Sequence, residues 1–251
     1  MYEKGIGTES ASISGITTYL DLSKDDHELV VTGNNTISAG DGNDTIQFAT
    51  FANLTASDTI DGGAGTDTLQ FTGAANADFT SSTTFLNGVS NVEAYSFNGL
   101  TGSHTVTIND QIMQDGAVSI TFAAAVAGAA NAVSAVGVLN TGNTVNFTDS
   151  SAGTGATTTY TVGNGIDKVD LGAAADTVAI TLQSYLTGTD EISGGVGTDT
   201  VNLNIDGGAS AAARVTVGES QLKSLSSFEV INVDDATATH IGITLTDTVV
   251  D

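Results

Sequence analysis

The chain has 251 residues, of which 29 are acidic and 5 are basic, so its formal net charge at pH 7 is −24. This balance argues against nucleic acid as a partner, because phosphate binding needs clustered Lys and Arg side chains, and against an anionic membrane surface. Cysteine is absent, which excludes disulfides and thiolate metal sites. No apolar run is long enough to span a bilayer, so we expect no membrane insertion.

Residues 1–29 show no clear period. Their spaced apolar side chains predict a short strand or helix that covers the first turn of a repeated structure, because terminal repeats need such protection. We therefore interpret this segment as an N-terminal cap or edge. The apolar side chains in question are Ile13, Ile16, Leu20 and Leu22.

The stretch Ala39–Gln70 contains two segments that follow the pattern G-G-x-G-x-D-x-U-x, where U is a large aliphatic residue. Gly62–Gln70 fits this pattern fully, and Ala39–Gln47 fits it except at Ala39. The glycines let the backbone turn tightly with its carbonyl oxygens pointing inward. The Asp adds a carboxylate to those carbonyls, and such a cage of oxygen atoms suits Ca²⁺. This pattern is the calcium-binding nonapeptide of parallel β-rolls.

Four windows of nine residues cover this region, and the five residues Phe48–Ala52 are inserted after the second window. The windows are Val30–Ser38, Ala39–Gln47, Asn53–Asp61 and Gly62–Gln70. The eighth position of each window is aliphatic, and we expect it to pack into the core of the roll. The sixth positions, where the pattern places the carboxylate, are Asn35, Asp44, Asp58 and Asp67.

The same arrangement returns 132 residues later, again with five residues inserted after the second window. The windows there are Val162–Asp170, Leu171–Ala179, Tyr185–Ser193 and Gly194–Asn202. Asp fills seven of the eight sixth positions, whereas random placement of the 22 Asp residues would fill fewer than one. The sixth positions of this second set are Asp167, Asp176, Asp190 and Asp199.

A segment beyond the nonapeptides is duplicated as well. Leu86–Phe97 matches Leu222–Val233 at a displacement of 136 residues, and both segments place a Glu ahead of an alternating strand. We interpret these residues, Glu93 and Glu229, as acceptors for backbone NH groups at a corner, in preference to catalytic acids. The whole unit is therefore duplicated, and the nonapeptides form its opening section.

Gly116–Val162 joins the two copies and contains three segments that alternate like half-buried strands. Ala123–Ala135 favours a helix by propensity, but its strand-like neighbours favour a narrow β-helix with Ala in a thin core. We therefore predict one continuous rod, with a first unit at 30–161 and a duplicate second unit at 162–251. The alternating segments are Ala117–Phe122, Thr144–Thr148 and Thr157–Val162.

The nonapeptides resemble the hemolysin-type calcium-binding repeats of RTX proteins, and the longer unit is similar to bacterial surface-layer (S-layer) proteins and large RTX adhesins. The resemblance implies an all-β fold, a right-handed parallel β-roll or β-helix solenoid of two tandem units, with Ca²⁺ held between successive turns. The implied metal-site residues are Asn35, Gly40, Gly42, Asp44, Asp58, Gly63, Gly65, Asp67, Asp167, Asp176, Asp190, Gly195, Gly197 and Asp199.

By the same resemblance, the chain would be a segment of an extracellular S-layer protein or adhesin that is exported by type I secretion. Binding of Ca²⁺ would drive its folding and assembly. The expected partners are other copies of the chain or neighbouring domains of one longer chain.

Two alternatives remain open at this stage. The first is a parallel β-helix enzyme that modifies polysaccharides, which needs a basic residue or Tyr near its acids. Arg214 is the single arginine and has no evident partner cluster, so we predict that the chain is not an enzyme. The second is a glycan-binding module, in which the Thr that follows each Asp would line one flat face. These residues are Thr45, Thr68, Thr177 and Thr200.

Overall fold

The computed structural model describes residues 9–14, 20–21, 27–50, 53–73, 78–80, 84–98, 103–113, 115–123, 129–150, 155–205, 215–233 and 241–243. Within these ranges the chain is almost entirely β-strand, and successive coils of a solenoid pair in parallel. The all-β parallel solenoid expected from the sequence is therefore confirmed. In the same ranges, no helix has both the length and the apolar character needed to cross a membrane.

The largest wall, here called the long sheet, has ten strands that follow one another along the rod. In spatial order they are β1 (Glu9–Ser14), β3 (His27–Thr32), β5 (Thr45–Phe48), β7 (Thr68–Phe71), β10 (Ala94–Asn98), β12 (Ala117–Ala123), β14 (Thr144–Asp149), β16 (Ile166–Asp170), β18 (Glu191–Ser193) and β21 (Leu225–Ser226).

Two further sheets form the opposing walls of the solenoid. The four-stranded sheet contains β2 (Leu20–Asp21), β4 (Thr36–Ser38), β6 (Thr59–Asp61) and β9 (Val89–Ser90). The seven-stranded sheet contains β8 (Asp78–Thr80), β11 (Thr105–Asn109), β13 (Ala130–Gly137), β15 (Thr157–Thr161), β17 (Thr177–Ile180), β19 (Thr200–Leu203) and β22 (Val230–Val233).

The remaining elements are short. A two-stranded sheet pairs β20 (Val215–Val217) with β23 (Ile241–Ile243). The helix α1 covers Glu219–Leu222, and 3₁₀ turns lie at Thr84–Gly88, Asp110–Ile112 and Gln183–Tyr185.

Alternation along each strand explains why these short segments form the walls of a solenoid. In β5 the side chains of Ile46 and Phe48 are buried, while the positions between them are partly exposed. The next coil repeats this pattern, since Ile46 pairs with Leu69 and Phe48 pairs with Phe71. Apolar side chains at every second position therefore stack inward, one coil upon the next.

A column of aromatic rings runs along the core. Phe48 and Phe71 stack with their centroids 6.0 Å apart, and Phe71 stacks on Phe97 at 5.5 Å. Aromatic pairs of this kind contribute about 0.5–1.5 kcal/mol each beyond the burial of their area. The column therefore stabilises the stack of coils without any metal. It continues through Phe122, Phe147 and Tyr160.

The alanine-rich connection is strand where the structure describes it. Ala130–Gly137 forms β13, in which Val133 and Ala135 are buried, as expected for a narrow β-helix with a thin core. The small side chains let the two walls approach closely, so this tertiary packing overrides the helical propensity of Ala.

The long sheet is continuous across the predicted boundary between residues 161 and 162, because β14 pairs with β16. The boundaries of the two units themselves stay a prediction. At the other end, Ile13 lies in β1 and Leu20 in β2, whereas Ile16 and Leu22 of the predicted cap lie outside the described residues.

The two units are offset by half a coil relative to the walls. The first and third windows of each unit are here called odd, and the second and fourth even. In the first unit the even windows lead into β5 and β7 of the long sheet, but in the second they lead into β17 and β19 of the seven-stranded sheet. Equivalent corners of the two units therefore lead into different walls.

Candidate metal centre

All eight sixth-position residues are buried, each with 3 % or less of its surface exposed. They divide into two sets according to their windows. The even row consists of Asp44, Asp67, Asp176 and Asp199, and the odd row consists of Asn35, Asp58, Asp167 and Asp190.

In the even row of the first unit, hydrogen bonds join the carboxylate of one turn to a backbone NH of the turn before it. The backbone NH of Asp44 donates to Oδ1 of Asp67 at 2.8 Å, and the NH of Asp67 donates to Oε2 of Glu93 at 2.8 Å. Successive turns are thus joined by a ladder of carboxylate-to-amide hydrogen bonds. Glu93 is the last acceptor of this ladder, as its interpretation as a corner residue predicts.

The second unit repeats the ladder. The NH of Asp176 donates to Oδ1 of Asp199 at 2.7 Å, and the NH of Asp199 donates to Oε2 of Glu229 at 2.7 Å. Here the ladder extends one turn further back, because the NH of Thr158 donates to Oδ1 of Asp176 at 2.7 Å. The interpretation of both Glu residues as acceptors for backbone NH groups is therefore confirmed.

The second carboxylate oxygens of the even row are the unusual feature of the site. Within the described part of the chain, Oδ2 of Asp67, Asp176 and Asp199 is fully buried and has no hydrogen-bond partner. Leaving such a group unpaired costs about 1–3 kcal/mol or more when it is charged. Buried oxygens without partners therefore point to a group that is present in the functional protein and that bonds to them.

The odd row is different, because both oxygens of its carboxylates are bonded. Oδ1 of Asp58 accepts from the NH of Asn35 at 2.7 Å, and its Oδ2 accepts from the NH of Thr55 at 2.7 Å. In the second unit Oδ1 of Asp190 accepts from the NH of Asp167 at 3.0 Å, and its Oδ2 accepts from the NH of Thr187 at 2.6 Å. Backbone NH groups of the chain therefore already bond to both oxygens of these two carboxylates.

The first member of the odd row is held differently in the two units. Nδ2 of Asn35 donates to Oδ1 of Asp58 at 3.2 Å, which a second carboxylate in its place would not do. In the second unit that place is taken by Asp167, and the hydroxyl of Tyr160 donates to its Oδ1 at 2.5 Å. In each unit a neutral side chain therefore donates to one odd-row carboxylate: Asn35 donates to Asp58 in the first unit, and Tyr160 donates to Asp167 in the second.

The glycines of the even windows let successive turns approach closely. A Cβ atom on Gly65 would lie 1.8 Å from the carbonyl oxygen of Gly42, and one on Gly63 would lie 1.9 Å from that of Gly40. Two backbone hydrogen bonds hold this spacing: the NH of Ala64 donates to the carbonyl of Gly40 at 2.7 Å, and the NH of Gly42 donates to the carbonyl of Ala64 at 2.9 Å. Any side chain would fill the cradle between the turns. In the second unit, a Cβ atom on Gly195 would lie 2.1 Å from the carbonyl oxygen of Gly172, and one on Gly197 would lie 1.5 Å from that of Ala174.

The cradles of the two units are not identical. Gly42 and Gly65 have φ values of +130° and +145°, which residues with a side chain rarely adopt. In the second unit Ala174 stands at the position of Gly42, and neither Ala174 nor Gly197 has a φ in that range. The turn at Leu171–Ala179 therefore accommodates Ala174 without strain, because its backbone does not adopt the positive φ that Gly42 has in the first unit.

Burial sets the electrostatics of the even row. It raises the pKa of Asp67 to about 6, and the nearby charges of Asp44 and Glu93 act in the same direction. Burial also raises the pKa of Asp176 to about 6, with a further contribution from Asp199. The pKa of Asp199 is raised too, first by burial and then by Glu229. Without a cation, the charged forms of these groups are disfavoured in the folded protein.

The odd row contains one strongly shifted group. Burial raises the pKa of Asp167 to about 7, although the Tyr160 hydroxyl and the NH of Gly163 act against the shift. The same burial and the neighbouring acid raise the pKa of the Tyr160 hydroxyl.

The residues of the even row fit Ca²⁺. Their unpartnered carboxylate oxygens belong to turns whose glycines lie close to backbone carbonyls of the neighbouring turn, and hard oxygen donors of these two kinds are the ligands that Ca²⁺ prefers. The described residues contain no group of three or more His, Cys, Asp or Glu side chains that could hold a metal ion by themselves.

Sequence reasoning missed the groups that close the odd row. Thr55 and Thr187 each stand three residues before an odd-row Asp and donate both NH and hydroxyl to it. The pattern T-x-x-D is a local turn signal that distinguishes these windows from the even ones. Tyr160 carried no such signal, because it lies seven residues before Asp167, in β15 and outside the nine-residue window.

Comparison with known protein families agrees with this geometry for part of the chain. The family model of the RTX calcium-binding nonapeptide repeat (four copies) matches residues 31–48 and 55–71, which cover most of the first set of windows. No curated protein and no solved structure matches the chain. RTX repeats are structural, calcium-binding and typical of secreted proteins. Their presence in a β-solenoid fits a calcium-binding structural role.

Proposed function

We propose that the chain is a calcium-dependent structural segment of an extracellular protein, in which Ca²⁺ bound at the even corners ties successive turns together. The observation that carries the proposal is the contrast between the rows: the odd carboxylates are bonded on both oxygens, whereas Oδ2 of Asp67, Asp176 and Asp199 is buried without a partner. A cation at the even corners would satisfy these oxygens and offset their charge.

The residues assigned to the proposed sites follow from this contrast. In the first unit they are the carboxylates of Asp44 and Asp67 with the backbone of Gly40, Gly42, Gly63 and Gly65. In the second they are the carboxylates of Asp176 and Asp199 with the backbone of Gly195 and Gly197. For Asn35, Asp58, Asp167 and Asp190 we propose a hydrogen-bonding role at the opposite corners.

The energetic argument concerns the folded state before a cation binds. At each even corner the backbone NH of one Asp donates to the carboxylate of the next, while the two negative side chains repel each other. The glycine-rich turns also have a high ordering cost. Binding at 100 times the dissociation constant would stabilise the fold by about 2.7 kcal/mol per site. A few such sites would match the ~5–15 kcal/mol stability of an ordinary domain.

The setting we propose is the bacterial cell surface, as a segment of an S-layer or of an RTX-type adhesin exported by type I secretion. The matched repeat is typical of secreted proteins. Calcium is scarce in the cytosol and abundant outside, so a fold that needs calcium would form after export. The rod would then associate with further copies of itself or with neighbouring domains of a longer chain.

A calcium titration tests the proposal. The protein is stripped of metal with EDTA, then titrated with CaCl₂ while the heat of binding and the far-ultraviolet circular dichroism are recorded, with MgCl₂ as the control. We expect saturable calcium uptake with a gain of β-structure or of thermal stability, and little response to magnesium. A chain that takes up no calcium at millimolar concentration, with an unchanged spectrum and melting temperature, would contradict the proposal.

A further inference from the structure

We propose that each unit has one more site for a divalent cation with oxygen ligands, between its last nonapeptide turn and the Glu-centred turn that follows. In the first unit this site lies between Gly62–Asp67 and Asn91–Glu93. In the second it lies between Gly194–Asp199 and Ser227–Glu229. The inference rests on the proposed function and extends it to turns that lack the nonapeptide pattern.

The Glu-centred turn stacks on the nonapeptide turn as another nonapeptide turn would. The NH of Gly62 donates to the carbonyl of Ser90 at 3.0 Å, and the NH of Ala94 donates to that of Asp67 at 3.0 Å. In the second unit the NH of Gly194 donates to Ser226 and that of Val230 to Asp199, both at 3.0 Å. The backbone contact is therefore reproduced in both copies.

The Glu side chain compensates for a shorter turn. Asn91–Glu93 occupies the place that Gly62–Asp67 occupies one coil earlier, with half as many residues. Asn91 takes the left-handed conformation, with φ at +50°, and Ser227 does the same at +57°. Because Glu is one methylene longer than Asp, its carboxylate still reaches the NH of Asp67.

Oxygen atoms from both turns converge beside Gly62. A Cβ atom at this position would lie 1.9 Å from the carbonyl oxygen of Asn91 and 2.7 Å from Oδ2 of Asp67. That Oδ2 atom is buried and has no hydrogen-bond partner. The small space left by the missing side chain is thus bordered by a carbonyl and by an unsatisfied carboxylate oxygen.

The second unit reproduces the convergence. A Cβ atom on Gly194 would lie 2.2 Å from the carbonyl oxygen of Ser227 and 3.0 Å from the carboxyl carbon of Asp199. Oδ2 of Asp199 is again buried without a partner. The agreement between two copies with different turn residues indicates that this arrangement is a feature of the unit.

The charge around this space favours a cation. In the first unit Asp67, Glu93 and Asp61 lie near one another, and Asp61 bonds to Nδ2 of Asn91 at 2.7 Å. Among the residues that the structure describes, the Lys side chains that form ion pairs bond to Glu191 and Glu219, away from this turn. Carboxylate and carbonyl oxygens without a basic partner are the donor set that Ca²⁺ prefers.

The test separates a ligand from a hydrogen-bonding cap. The test uses a double variant, Glu93→Gln with Glu229→Gln. Each new side chain loses the negative charge but keeps an oxygen that can accept from the backbone NH of Asp67 or of Asp199. Glu191→Gln is the matched control, because that side chain is 73 % exposed. Calcium uptake is measured by equilibrium dialysis and titration calorimetry with CaCl₂ on the full chain.

We expect the double variant to retain its fold and to lose one calcium ion per unit, or to bind those ions about 10–100-fold more weakly, while Glu191→Gln matches the wild type. Unchanged calcium number and affinity in the double variant would overturn the further site but leave the proposed function standing. No calcium uptake by the wild type would overturn both.

A second measurement does not depend on the folding of a variant. Anomalous scattering from a wild-type crystal grown with calcium locates the ions directly. An ion between Asp67 and the Asn91 carbonyl supports the inference. Ions found only between Gly40–Asp44 and Gly63–Asp67 would contradict it.

Discussion

The carboxylate of Asp67 accepts a hydrogen bond from the backbone NH of Asp44 at 2.8 Å, across two successive coils of the solenoid. The bond brings two acidic side chains into one buried corner, and only one oxygen of Asp67 is used. In the metal-free state this corner therefore has a structural bond and an electrostatic cost at the same time. The predictions below concern the balance between the two.

The first prediction compares the two rows. We expect Asp67→Asn to leave the metal-free protein as stable as the wild type or more so, because an amide keeps the acceptor for Asp44 and removes a charge. Asp58→Asn should cost about 1–3 kcal/mol with or without calcium, since it places an NH₂ group against the NH of Thr55.

Urea unfolding of both variants in EDTA and in CaCl₂ checks this difference. The calcium-induced gain in the free energy of unfolding should fall in Asp67→Asn and should persist in Asp58→Asn. Equal loss of the calcium response in both variants would show that the rows do not differ in function.

The second prediction concerns pH. Burial raises the pKa of Asp67 and Asp176 to about 6 and that of Asp167 to about 7, above the ordinary value of 3.8. The folded state then holds more protons than the unfolded state, so the metal-free protein should lose stability as the pH rises from about 4 to about 7.

Calcium should reverse the contributions of Asp67 and Asp176 to this slope, because protons compete with the cation for their oxygens. The contribution of the odd-row Asp167 should persist. Free energies of unfolding measured at about pH 5 and about pH 8, in EDTA and in saturating CaCl₂, give the two slopes. The same slope under both conditions would contradict binding at Asp67 and Asp176.

The third prediction concerns the cradle. Gly65→Ala should destabilise the protein by about 3 kcal/mol or more and remove the first unit's share of its calcium response, because the new Cβ would lie 1.8 Å from the carbonyl oxygen of Gly42. Gly155→Ala is the matched control: its φ is also positive, +66°, but nothing lies within 4 Å of the added atom. The control should cost about 1–2 kcal/mol.

Thermal unfolding of the two glycine variants with and without CaCl₂ checks the prediction. If the calcium-dependent shift in melting temperature is as large in Gly65→Ala as in the wild type, the even corner of the first unit is not where calcium binds.

The fourth prediction concerns the metal-independent part of the fold. Phe71 stacks between Phe48 and Phe97 and is fully buried. Phe71→Ala should therefore lower the free energy of unfolding by about 3–5 kcal/mol. The loss should be similar in EDTA and in CaCl₂, as measured by urea unfolding. A loss seen only in CaCl₂ would mean that the aromatic column forms only after calcium binds.

Several features of the fold followed from the sequence because they are local. The nine-residue period places an inward aliphatic side chain and a corner Asp at regular intervals, and a chain with this period can bury its apolar positions only by stacking coils. Glu93 and Glu229 were recognised as corner acceptors on the same basis, since their duplication and their place before a strand are visible in one dimension.

Other features depended on the positions of hydrogen-bond donors and of the backbone in three dimensions. The windows of Asp58 and Asp67 share the pattern, yet only Asp58 has both oxygens bonded, because Thr55 turns back onto it. The difference between the rows therefore required the positions of donors around each carboxylate. Ala174 shows the same limit, because the sequence does not reveal that its φ lies outside the positive range that Gly42 adopts.

The sequence by itself determined where the corners lie and which residues occupy them, because these are set by spacing and by residue chemistry. Only the tertiary structure decided that equivalent corners of the two units lead into different walls, and that one row of carboxylates keeps unbonded oxygens. The physical reason is that both properties depend on position in three dimensions: the coils between the units set the half-coil offset, and the donors around each carboxylate, from the adjacent coil and from its own turn, decide which oxygens are already bonded.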